Sequence, residues 1–116
     1  MRRTDAACGS YRQALRSVPT PTDLAGLSRF ASRVLAQLDR ALARIRKLKP
    51  PHDEQADVDR WLAQTRVIRG DIVALRDAAR RGDRNAVDRA FKKGSPDDTL
   101  SNQLAARIGL KVCSKP

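Results

Sequence analysis

Apolar residues recur at steps of three and four along nearly the whole chain, and Pro or Gly interrupts the pattern at PTPTD (19–23), KPPHD (49–53), RGD (81–83), GSPDD (94–98) and Gly109. Such periodicity predicts amphipathic helices separated by short links. The first helix runs from about Thr4 to Val18, with Ala7, Cys8, Tyr11, Leu15 and Val18 on one side, and ends at Pro19 and Pro21, each lacking an amide hydrogen. Asp23 or Thr22 caps the second, whose seam of Leu24, Leu27, Ala31, Val34, Leu38, Ala41, Ile45 and Leu48 is widened by Phe30, Leu35 and Leu42.

Beyond PPH, the acids Asp53, Glu54, Asp57 and Asp59 crowd the start of a third helix and Arg80 and Arg81 close it, both in keeping with the helix dipole. Its seam is Val58, Trp61, Thr65, Ile68, Ile72, Leu75 and Ala79. Gly70 lies inside it at a cost of about 1 kcal/mol relative to Ala, which suggests a close helix contact there. Asp83 starts a fourth helix that buries Ala86, Val87, Ala90 and Phe91; after a restart at Ser95, Pro96 and Asp98, Leu100, Leu104 and Ile108 face inward. This predicts one helix, kinked or broken near Gly94–Pro96. Short links between long amphipathic helices imply antiparallel neighbours: an all-α, up-down-up-down four-helix bundle, with residues 1–116 as a single domain.

Composition adds charge to this picture. Aromatics are 3% of the chain, so Leu, Ala, Val and Ile must build the core, and 24 Lys and Arg against 13 Asp and Glu leave a net charge of +11. That excess favours anionic partners: cell-envelope polymers, acidic lipid or nucleic acid. It is uneven, and residues 21–52 carry the largest share. On the second helix Arg29, Arg33, Arg40, Arg44 and Lys47 fall within about 60° of one another, opposite the seam. The i,i+4 pairs Arg29 with Arg33 and Arg40 with Arg44 are mutually repulsive, so the stripe is a candidate anion-binding face. The alternative is a solvated face partly neutralised by Asp residues of a neighbouring helix.

The two cysteines stand near opposite ends of the chain, Cys8 and Cys113. Four antiparallel helices bring the termini together, so a Cys8–Cys113 disulfide is plausible, though two unpaired thiols in a cytosolic protein remain the alternative. Length constrains the bridge. Cys8 lies about 15 Å below the top of its helix while a helix over 83–108 descends about 37 Å. The tail must therefore turn back at Gly109, with Leu110 and Val112 packing on the bundle and the PTPT link and GSP break absorbing the rest. Closing a loop of about 100 residues stabilises the fold by up to ~4.7 kcal/mol in the chain-entropy account. Zinc is disfavoured, because Cys8, Cys113 and His52 make only three ligands at no recognised spacing.

Cys8 with YRQALRSVPTP, then IRKLKPPHDEQADVDRWL, ARRGDRNAV and ARIGLKVC follow one another along the chain. In this order they resemble a family of small bacterial exported or membrane-anchored helical proteins of uncharacterised function, with an early Cys, a PP helix break, a GD helix start and a terminal GL-x-x-C. The resemblance implies an exported bundle with a cysteine bridge and brings no catalytic residue. Two departures are the missing leader and the GSP interruption. As written, MRRTDA is followed by no apolar segment of signal-peptide length and no stretch reaches transmembrane length, so export requires a leader upstream of Met1; the alternative is a cytoplasmic protein.

Catalytic chemistry finds little foothold. The chain has one His, one Glu, no glycine-rich phosphate cradle and no nucleophile elbow, and HDEQAD reads as an acid-rich helix start. The expectation is a non-enzymatic binding or structural bundle without a cofactor, acting outside the cytoplasm. The alternatives are a cytosolic nucleic-acid-associated protein using the same stripe and a helical oligomerisation module.

Overall fold

The computed structural model describes residues 2–116 and is all-helical among them. Four helices, α1 (Arg2–Arg16), α2 (Leu24–Arg46), α3 (Gln55–Arg80) and α4 (Arg84–Arg107), pack into a four-helix bundle measuring 46 × 25 × 20 Å. A short 3-10 turn, His52–Glu54, precedes α3. None of these helices is long and apolar enough to cross a membrane.

Local chemistry explains most boundaries. The carboxylate of Asp23 caps α2 by accepting from Gly26 N at 2.6 Å, and that of Asp83 caps α4 by accepting from Ala86 N at 3.0 Å. α3 and α4 both stop at a glycine in the left-handed region, Gly82 (φ 70°) and Gly109 (φ 87°). At each, the glycine N–H reaches back to one late carbonyl (Ala79, Ala106) and the next N–H to an earlier one (Ala78, Ala105), so the last carbonyls are satisfied. α3 begins differently from the expected capped start. Glu54 makes no side-chain cap, and its N–H is taken by the Pro51 carbonyl of the 3-10 turn.

Two apolar clusters occupy the ends of the bundle. One joins Ala7, Ile45, Trp61, Leu104, Ala105 and Leu110; the other joins Ala78, Ala79 and Val87 with Leu24, Leu27 and Leu75 packed on them. α3 packs on both α2 and α4; α1 lies along α2, and its Ala7 joins Trp61, Leu104 and Ala105 in the first cluster. The backbones of α1 and α4 stand farther apart than those of the other neighbouring helices, which makes this the more open side of the bundle, with the tail docked on α1 beside it through Asp5.

Three expectations are corrected. α4 is one uninterrupted helix with Pro96 inside it, so of the two expected forms, kinked or broken, the broken one is absent. Pro96 deletes one intrahelical bond, but α4 is held on both sides of it: Lys93 Nζ binds Asp71 on α3, and Gln64 Nε2 donates to the Asp97 carbonyl at 2.8 Å. Because the helix keeps its phase through Pro96, Phe91 and Leu100 fall on opposite shoulders of the buried stripe and are exposed, 53% and 43%. The stripe itself is built of small residues, including Ala90, Gly94, Ser101 and Ala105, which lets α3 and α4 approach closely. The tight helix contact expected at Gly70 is not there: a Cβ at Gly70 would meet nothing within 4 Å, whereas one at Gly94 would touch Asp71 Cβ at 3.8 Å.

Candidate anion-binding face

The staple end is assembled from α1 and the tail. Cys8 and Cys113 form a disulfide, 5.3 Å apart at Cα and 105 residues apart in sequence. With both sulfurs bonded, neither is available as a metal-binding thiolate. Gly109 turns the chain back as expected, Leu110 is 1% exposed within the core, and Val112 is half-buried. The PTPTD link runs on beyond α1, its residues lining a depression with Gly26, Arg29, Phe30 and Arg33 of α2.

The sequence reading missed one part of this staple. Asp5 lies one helical turn before Cys8, and its carboxylate accepts three successive tail amides: Lys111 N at 3.0 Å, Val112 N at 2.9 Å and Cys113 N at 3.1 Å. Consecutive N–H groups turned to one side form the kind of concavity that binds anions, and here the chain's own carboxylate fills it. The only signal in sequence was an acid three residues before a cysteine, which has ordinary explanations at the start of a helix.

The basic stripe runs along α2, from the PTPTD link to the α2–α3 link. Arg29, Arg33, Arg40, Arg44 and Lys47 are all exposed, and the row spans about 27 Å at 1.5 Å per residue. It leans toward α1. Arg29 and Arg33 line the depression under the PTPTD link; Arg40 and Arg44 line one beside Ala7, Ser10 and Tyr11; Lys47 borders two more with Arg3, one of which adds Arg2 and Lys49. The five sequence-predicted residues thus line four depressions along α2, and α1 and the α2–α3 link add three cations to two of them.

Neutralisation by a neighbouring helix does not occur at these positions. Among the described residues the ion pairs are Arg60 with Asp57, Arg69 with Asp39, Arg76 with Asp77, and Lys93 with Asp71 and Asp97; none includes a residue of the stripe. Asp39 of α2 points to α3, where the Arg69 guanidinium grips it through two bonds and holds its carboxyl below the usual range. Comparison with known proteins finds no counterpart: no family model, no curated protein and no solved structure matches the chain.

A second charged group lies between α3 and α4. Lys93 Nζ sits 2.6 Å from Asp71 and 2.9 Å from Asp97. Burial, followed by the hydrogen bond to Asp97, pushes the Asp71 carboxyl up; bonds from Asp71 and Lys93 hold Asp97 down. The pair holds α4 in place across Pro96 and is a fixture of the helix interface. Near the mouth of the open side, burial first and the Asp98 charge second push Tyr11 up to about 12, so its hydroxyl stays protonated at neutral pH.

Proposed function

We propose that the protein is a non-enzymatic, disulfide-stapled binding module of an extracytoplasmic compartment, and that the valley between α1 and α2 holds an anionic partner. The observation that carries this reading is a row of five exposed cations with no ion pair among the described residues, while Asp39, Asp57, Asp71, Asp77 and Asp97 pair elsewhere. Unpaired like charges along one helix face repel each other and cost stability, and an external polyanion relieves that repulsion. The disulfide favours an oxidising setting over the cytosol, and the resemblance to exported bundles agrees with it.

The nucleic-acid reading uses the same valley and is separated from this one by partner choice. Binding of the oxidised protein to anionic vesicles, a sulfated polysaccharide and duplex DNA is measured in parallel against salt. The proposal expects binding to the vesicles or the polysaccharide at physiological salt, reduced at least about tenfold by changing Arg33, Arg40 and Arg44 together to Gln. Preference for duplex, with a log–log salt slope near −4.5 for about five phosphates, selects the nucleic-acid reading instead. Equal binding by the triple variant removes the valley from either.

A further inference from the structure

The open side between α1 and α4 contains a cavity of about 260 Å³ that the basic valley does not use. Its exposed lining is mainly apolar, with Leu15 from α1, Leu38, Leu42 and Ile45 from α2, and Trp61 and Ile68 from α3. The Cys8–Cys113 bridge and Val112 contribute to its lining from the staple, and Tyr11, Arg12, Asp98, Asn102 and Lys115 supply polar groups. Arg12 is oriented by the tail, donating to the Pro116 carbonyl at 2.9 and 3.4 Å.

We propose that this cavity binds one medium-length aliphatic carboxylate, its chain among the helices and its head group at Arg12 and Lys115. Size selects the chain. The volume of about 260 Å³ is that of roughly nine water molecules at about 30 Å³ each, room for one short aliphatic chain. A helix from a second protein does not fit: one turn, about 10 Å across and 5.4 Å long, fills about 420 Å³. Charge selects the head group, since Arg12 and Lys115 outnumber Asp98 and the neutral Tyr11 hydroxyl and Asn102 amide add donors.

Trp61 is the chain's one tryptophan and lies in the wall, so its fluorescence reports on occupancy. The oxidised full chain is titrated with sodium octanoate, octanol and octylammonium, and stoichiometry is checked by calorimetry. Octanoate is expected to saturate the signal at one per chain and to bind more tightly than octylammonium. Leu38→Phe and, from the opposite wall, Ile68→Phe should each weaken octanoate at least about tenfold with the disulfide and helix content intact. Arg12→Gln combined with Lys115→Gln should bring octanoate down to the level of octanol and leave octanol unchanged. The Arg33, Arg40 and Arg44 triple variant, deficient in polymer binding, should still take octanoate, which separates failure here from failure of the anion-binding valley. No saturable change up to about 10 mM, unaltered binding in both filled variants, or octylammonium binding equally well overturns the proposal. A dimer that octanoate does not disturb and that both filled variants abolish overturns it in favour of a second copy as the occupant.

Discussion

Asp5→Ala tests whether the carboxylate is a working part of the staple. The substitution leaves three tail amides without their acceptor, of which those of Val112 and Cys113 are partly buried and that of Lys111 is exposed. Hydrogen bonds to a charged group are worth about 1.5–3 kcal/mol when buried, and water replaces part of that here, so about 1 kcal/mol each is reasonable. Removing an acid from the first turn of α1 adds about 0.3–1 kcal/mol. The expected loss is about 3–4 kcal/mol, or roughly 14 °C in Tm for a chain of this size. Urea unfolding of the oxidised protein measures it, with Asp88→Ala, an exposed acid of α4 outside any ion pair, expected to stay within about 0.5 kcal/mol. The same change in a Cys8→Ser, Cys113→Ser background should cost less, because an untethered tail can undock locally and cap the loss. If Asp5→Ala is no worse than Asp88→Ala with the disulfide intact, the three bonds do not hold the tail and the reasoning fails.

Gly70→Ala should stabilise the protein by about 1 kcal/mol, read from the shift in urea midpoint, since the position is helical, exposed and open on all sides; a loss would mean that α3 is closely packed there. Asp71 has a raised folded-state pKa, so its proton favours the folded state and that contribution disappears as pH rises from the ordinary Asp range, about 3.9, through the raised value. Wild type should therefore lose stability relative to Asp71→Asn as pH rises over that interval. Thermal melts of both from pH 3 to about pH 7 give the difference, and a variant that is weaker at pH 7 but equal at pH 3 would reverse the sign.

The sequence by itself determined four helices, the caps at Asp23 and Asp83, the reversal at Gly109 and the line of the second-helix cations. Each of these rests on an interaction within a few residues: a side-chain oxygen reaching an amide three positions on, a left-handed glycine, or a 100° rotation per residue. The two cysteines were legible as a pair because the helix count brings the termini together. Only the tertiary structure decided the remainder. Pro96 stays inside α4 because Asp71 and Gln64, more than twenty residues earlier, hold the helix on either side of it. That continuity turned Phe91 and Leu100 outward and moved the close contact from Gly70 to Gly94. The partners of Asp5 lie more than one hundred residues away, and the cavity is lined by residues of all four helices and the tail. Long-range packing energies exceed the local preferences at these positions, and a one-dimensional pattern carries no record of which distant groups will meet.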